Sequence, residues 1–205
     1  DMAFLQDGTM FFTEKCGGLS VRMASGSVNK LLGVGGSTGY ASTKNDLFCD
    51  GQAGVQGVAV DPDFAKNGFV YLYSSSKASN RTYGGYNNIV MRMKVNSSLN
   101  AVSDITEIIN DLGYKPMKSN HPFGGPGAHN GGRLRFGPDG FLYVTIGDNH
   151  NGAGPQSPTE LRGKLLRVDR DGKAAADQCV AGGRCFGRCE TTQDGDQGQL
   201  RPRLL

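Results

Sequence analysis

The chain has 205 residues, the length of one ordinary domain or a portion of a larger one. Hydrophobic residues make up 37% and charged residues 20%, which is enough apolar material for a packed core and argues against a mainly disordered chain. A net charge of +3 with no lysine/arginine stripe interleaved with aromatics argues against nucleic acid as a partner, and no apolar run approaches the ~20 residues of a bilayer span.

Glycine is over-represented, at 32 residues; average usage is about 7%. There is no period of three, so a collagen helix is excluded, and a fold with many tight turns is favoured. Cysteine occurs at Cys16, Cys49, Cys179, Cys185 and Cys189. Five cannot all pair within one chain; Cys16 and Cys49 are candidates for a disulfide, which would suit an oxidising compartment. Cys185 and Cys189 lack a second His/Cys pair nearby, so a zinc site is not indicated. Asn80-Arg81-Thr82 and Asn96-Ser97-Ser98 match the glycosylation triplet, a chance-prone pattern that reads as surface loop. The chain enters a strand-like pattern at Met2-Ala3-Phe4-Leu5 with no leader, so further sequence upstream is expected.

In chain order, the first recurring unit is Phe4–Thr13: a strand end, the turn Asp7-Gly8, then an apolar and aromatic strand. Gly18–Arg22 follows as an alternating strand. A looser copy runs from Val58-Ala59-Val60-Asp61-Pro62-Asp63-Phe64 through Asn67-Gly68 to Tyr73, with Ile89–Val95 as its alternating strand. The third copy is Phe136–Thr145, turning at Asp139-Gly140, followed by Gly163–Asp169 and a closing turn at Asp171-Gly172. No segment has the pattern of a long amphipathic helix. Repeated hairpins separated by variable glycine-rich loops predict an all-β fold, a β-propeller, here an incomplete one of about three blades, with the site on the loops of one face. A β-sandwich is the plainer alternative.

Three stretches carry the chemistry. The first is Gly51-Gln52-Ala53-Gly54-Val55-Gln56-Gly57, running on to Phe64. The second is Ala128-His129-Asn130-Gly131-Gly132-Arg133-Leu134 with its Gly137-Pro138-Asp139-Gly140 turn. The third is Ile146-Gly147-Asp148 followed by Leu161–Asp169. In this order, from about Met2 to Lys173, they resemble the soluble pyrroloquinoline-quinone-dependent glucose/sorbosone dehydrogenases, the sorbosone branch above all. The resemblance implies a six-bladed propeller, with pyrroloquinoline quinone and Ca²⁺ as cofactors. It makes His129 the base that takes the proton of a sugar's anomeric hydroxyl, and Gln52 a cofactor-binding residue. The substrate would be an aldose or sugar aldehyde hydrate, oxidised to lactone or acid. Electrons would pass to an external acceptor such as a cytochrome, quinone or dye, in a periplasmic or secreted protein. Glucose-oxidising members commonly carry an aspartate just before the histidine; Ala128 occupies that position, so His129 is expected to lack that support.

Elementary chemistry agrees with a histidine base, because neutral imidazole is available near neutral pH, whereas no side chain accepts hydride and a cofactor must. The plain readings are a structural loop role for His129 and a strand-capping role for Gln52. His121 and His150 are expected to be surface or loop-packing residues. Asp148 is expected to bond backbone N–H groups in its own turn rather than to bind calcium, and no metal ligand is assigned in the chain. Arg133 and Arg135 alternate with apolar residues and should share one strand face.

The pattern dissolves after Lys173, where an Arg-Asn pair is expected in the family. Two regions follow: 1–173, the partial propeller, and 174–205, a tail without strand periodicity, expected to be disordered or frameshifted. On this reading the chain is a fragment with little turnover of its own. The competing reading is a propeller-derived module that binds carbohydrate or protein without turnover.

Overall fold

The computed structural model describes residues 1–115 and 125–175. Twelve strands in those residues form three antiparallel-built sheets. The first contains β1 (Met2–Phe4), β2 (Met10–Glu14), β3 (Gly18–Arg22) and β4 (Val28–Val34), with β5 (Ser42–Lys44) added in parallel to β4. The second is β6 (Val55–Val60), β7 (Phe69–Lys77), β8 (Tyr86–Val95) and β9 (Val102–Leu112). The third is β10 (Gly131–Phe136), β11 (Leu142–Ile146) and β12 (Leu165–Val168). Each sheet is a meander in chain order. β6 packs on β1 and β2 on one side and on β10 on the other. The sheets are therefore consecutive blades of a propeller, with β1, β6 and β10 innermost, and not two facing layers of a sandwich.

The middle blade explains the arrangement. Along β7, Val70 and Leu72 face the first blade, where they join Phe11, Leu19 and Leu32 in one apolar cluster with Val58 of their own sheet. Tyr71 and Tyr73, one residue out of phase, face the third blade and pack with Leu134, Val144 and Val168. A strand with period-two side chains and both faces covered must be apolar throughout, as this one is until Ser74.

The Asp-Gly turns form as read, with one difference. Only the glycine is left-handed, at φ 87° for Gly8 and 78° for Gly140. The aspartates instead accept backbone N–H groups two residues on, Thr9 to Asp7 at 2.9 Å and Phe141 to Asp139 at 3.2 Å, the Asx-turn use of that side chain. The looser copy has no tight turn: one helical turn, α1 (Phe64–Asn67), ends at Gly68 with φ 68°. It is the longest helix among the described residues, so none is long and apolar enough to cross a membrane.

Because neighbouring strands run antiparallel, connections alternate between the two ends of the blades. One end carries the short turns and locks the second blade to the third. There Arg170 donates to both oxygens of the fully buried Asp61 at 2.8 and 3.1 Å and to Asp63 at 2.9 Å, while the Tyr71 hydroxyl donates to Asp61. The other end carries the long loops before β6, between β7 and β8, before β10 and between β11 and β12. Cys16 and Cys49 form a disulfide across it. Asn80 and Asn96 both lie exposed in turns. Ala174 pairs with Val168, extending the third blade past residue 173. Cys179, Cys185, Cys189 and the rest of the tail lie outside the described residues, as does His121.

Candidate active site

His129 stands on the long-loop end, immediately before β10. β10 joins β11 with a register shift between Gly131 and Leu134, where Gly131 and Gly132 take φ 76° and 97°. Such a bulge re-aims the residues beside it. β6 has a matching shift between Val55 and Val58. The two irregular strands touch: a Cβ on Gly57 would collide with the Gly132 carbonyl oxygen. This contact allows the loop bearing Gln52 to meet the loop bearing His129. The His129 backbone N–H donates to Gln52 Oε1 at 3.2 Å, and the Gln52 N–H donates to the Pro126 carbonyl at 2.9 Å. The two residues singled out from sequence are neighbours, and both are exposed.

No carboxylate immediately precedes His129 in the chain, but one from another loop stands beside it. Ala128 is buried and inert, but Asp148 Oδ1 lies 2.7 Å from His129 Nδ1. The third blade supplies the support through the β11–β12 loop instead of the preceding residue. Asp148 also accepts the backbone N–H of His150 at 3.1 Å, the turn role expected of it. Burial works against its charge, but the hydrogen bonds from His129 and from the His150 N–H prevail and hold its pKa below the ordinary carboxylate value. An ionised carboxylate only accepts, so the hydrogen in this contact belongs to Nδ1, and any acceptor role of the ring falls to Nε2. His150 is not a bystander. Its ring lies on the His129 ring, centroids 3.9 Å apart at 32°.

The backbone of His129 is held as firmly as its ring. Its carbonyl accepts from Asn149 N at 3.3 Å and from Asn149 Nδ2 at 3.1 Å. A Cβ on Gly147 would collide with that same carbonyl, so glycine is required there. At φ 54° His129 is left-handed, a conformation that persists in a non-glycine residue only when its surroundings fix it.

Beneath the two loops runs a buried polar platform that the sequence reading missed. The Gly54 N–H donates to Ser75 Oγ at 3.3 Å, and Ser75 Oγ donates to Asn88 Oδ1 at 2.8 Å. Asn88 Nδ2 then donates to Asn130 Oδ1 at 2.9 Å and to the Gly113 carbonyl. The Tyr73 hydroxyl donates to the Asn130 carbonyl at 3.0 Å. Ser75 and Asn88 are fully buried. The available signal was polar Ser74-Ser75-Ser76 and Asn87-Asn88 inside otherwise apolar strands, at a register that faces inward. Arg133 and Arg135 do share a face: both reach the Asp1 carboxylate, at 2.7 and 3.2 Å.

Among the described residues no group of three or more His, Cys, Asp or Glu is placed to hold a metal ion. They do not fit a Ca²⁺, and no step is assigned to one. They do suit one edge of a flat polar ligand, since an imidazole and a carboxamide stand exposed side by side on one end of the blades.

Comparison with known proteins bears on the family and the fold. The family model for glucose/sorbosone dehydrogenase matches residues 1–186. The aldose sugar dehydrogenase YliI of Escherichia coli (strain K12) is 26% identical over 163 residues, covering 78% of this chain and 40% of YliI. Quinoprotein glucose dehydrogenase B of Acinetobacter calcoaceticus is 28% identical over 194 residues, covering 83% of this chain and 37% of that protein. A solved oxidoreductase of glucose dehydrogenase type from Thermus thermophilus superposes with a TM-score of 0.66 at 28% identity, covering 92% of this chain and 48% of that one. The chain thus spans less than half the length of each. The family match nonetheless takes in most of its residues, and the chain belongs to the glucose/sorbosone dehydrogenase family.

Proposed function

We propose that these residues form part of a quinoprotein site that oxidises the anomeric hydroxyl of an aldose or sugar aldehyde hydrate to the lactone or acid. The observation that carries the reading is the meeting of His129, Asp148 and Gln52 from three separate loops. Asp148 fixes the proton on Nδ1, and His129 Nε2 takes the hydroxyl proton as the carbon–hydrogen bond breaks. The imidazolium so formed is stabilised by the adjacent carboxylate, which stays ionised. Gln52 holds the His129 loop through its Oε1 and leaves its amide N–H groups for a ligand. Gln52 and His129 are the residues that would border pyrroloquinoline quinone. When bound, that group supplies the hydride acceptor that side chains lack. An external cytochrome, quinone or dye then receives the electrons. A periplasmic or secreted setting is supported by the Cys16–Cys49 disulfide.

Turnover by residues 1–205 alone is expected to be low, because they cover less than half of the relatives compared above. Binding is therefore the first readout. Pyrroloquinoline quinone titrated into the protein and followed by absorbance should bind, with affinity reduced in Gln52→Ala. In the assembled enzyme, His129→Ala should retain binding and lose about 10²- to 10⁴-fold in dye-linked aldose oxidation, the usual worth of a positioned base. Absence of quinone binding, with carbohydrate or protein still bound, would establish a binding module instead.

A further inference from the structure

We propose that His150 is a positioning residue for His129, its imidazole setting the plane of the base's ring; the inference rests on the sugar-oxidising reading of this site. One hydrogen bond fixes a point on an imidazole and not its plane. The Nδ1 contact to Asp148 leaves the His129 ring free to swing about that line, since the outer torsion of histidine is broad. A second flat group on the ring face removes the freedom. His150 provides one, with centroids 3.9 Å apart and planes 32° from parallel.

His150 acts on the base by a second route as well. Its backbone N–H donates at 3.1 Å to Asp148 Oδ1, the same oxygen that meets His129 Nδ1. Residue 150 therefore touches the base both at its face and through the carboxylate that orients it. The backbone is bent to make this contact. Five non-glycine residues among those described have positive φ, and three of them, His129 at 54°, Asn149 at 50° and His150 at 57°, meet here. Asn149 ties the two turns together by binding the His129 carbonyl with both its backbone and side-chain N–H groups. Left-handed residues that gather at one contact, held by such bonds, are typical of built sites and not of idle loops. The sequence alternative, a histidine packing in a loop, does not explain why the packing partner is the face of the proposed base.

The test uses the whole 205-residue chain and needs neither quinone nor sugar. A stacked aromatic ring shields the protons of its neighbour, so the His129 Hδ2 and Hε1 resonances should lie upfield in the wild type. His150→Asn removes the ring with a residue that accepts positive φ, so the loop keeps its fold. His150→Phe keeps a flat face. The His129 signals should move downfield in the Asn variant and stay upfield in the Phe variant, with the amide signals of β10 and β11 unmoved in both. Unchanged His129 signals in His150→Asn, or no recovery in His150→Phe, overturns the proposal. A parallel titration of pyrroloquinoline quinone into the wild type separates the two claims: failure to bind counts against sugar oxidation, while the resonances decide the positioning role.

Discussion

Asp148 grips the Nδ1 edge of His129 at 2.7 Å from nineteen residues further along the chain. The pair exists because β10 and β11 are adjacent antiparallel strands whose long-loop ends lie side by side, Gly131 opposite Ile146. The carboxylate therefore selects the imidazole tautomer, and this can be tested directly. Asp148→Asn offers Nδ1 an amide that can donate as well as accept, so the tautomer preference should weaken. Imidazole ¹⁵N shifts of His129 would report it. In the assembled enzyme kcat should fall about 10²- to 10⁴-fold, as for loss of a general base, and an unchanged kcat would remove Asp148 from the mechanism.

The pH dependence of the same contact has a definite sign. The native pKa of Asp148 is lowered by the hydrogen bonds from His129 and His150 that outweigh its burial. Its stabilising effect is therefore complete above the unfolded value of about 3.9 and is lost as pH falls through the native one. Denaturation midpoints of wild type and Asp148→Asn should differ at about pH 6 and converge at low pH. Divergence toward low pH would contradict the direction.

Asn88 is the centre of the buried platform, and its amide is used on both sides: Oδ1 accepts from Ser75 while Nδ2 donates to Asn130 and Gly113. Asn88→Ala leaves several buried polar groups without partners, which costs about 2–4 kcal/mol. Asn88→Asp keeps the shape but cannot donate. Urea unfolding should show both variants destabilised, and amide exchange should quicken at Gly54 and Asn130 before it does in β7. Equal stability of Asn88→Ala and wild type would show that the platform is incidental.

Much of this was legible in sequence, and the limit lies at contacts between distant loops. Hairpins turned by Asp7-Gly8 and Asp139-Gly140 are local, so turn chemistry and period-two patterning reveal them. His129 and Gln52 were found by motif, and their contact follows from neighbouring inner strands. Asp148 was read only for its own turn, because its partner depends on the register of β10 on β11 and on the bulge at Gly131. His150 was read as loop packing, since no pattern tells which surface a loop side chain meets. Ser75 and Asn88 broke the apolar pattern visibly, yet only the fold shows that they face each other.

The Asp61–Arg170 pair should be worth more than a surface ion pair. Asp61 is fully buried, and Arg170, 39% exposed, binds it with two nitrogens. Burial raises the Asp61 pKa, but the Arg170 hydrogen bonds and the Asp63 N–H lower it by more. Arg170→Met strands a buried carboxylate with no cation beside it, leaving Tyr71, the Asp63 N–H and the Asn67 side chain as neutral hydrogen-bond donors. The loss should be about 2–3 kcal/mol, below the range for a wholly buried pair because the arginine is partly solvated. The difference from wild type should be complete above about pH 4 and shrink as pH falls through the lowered native pKa. A deficit of the same size at all pH values would mean that packing, and not charge, joins these blades.

The Cys16–Cys49 bond fastens the tip of the β2–β3 hairpin to the loop that carries Gln52. The two cysteines are 33 positions apart, and closing a loop of that size in the unfolded chain is worth about 3–4 kcal/mol. Other bonds join the same parts: Lys15 Nζ donates to the Gly51 carbonyl at 2.6 Å, and the Val55 N–H donates to the Lys15 carbonyl at 2.9 Å. The native contacts around Gln52 therefore do not depend on the disulfide alone, and its main effect should fall on the unfolded state. Reduction should lower Tm by about 6–15 °C at this chain length, while leaving the His129 resonances in place below the transition. The Cys16→Ser/Cys49→Ser variant should show the same lowered Tm and no further change on adding reductant. Loss of the His129 environment on reduction, at temperatures where the sheets persist, would instead show that the bond holds the site itself.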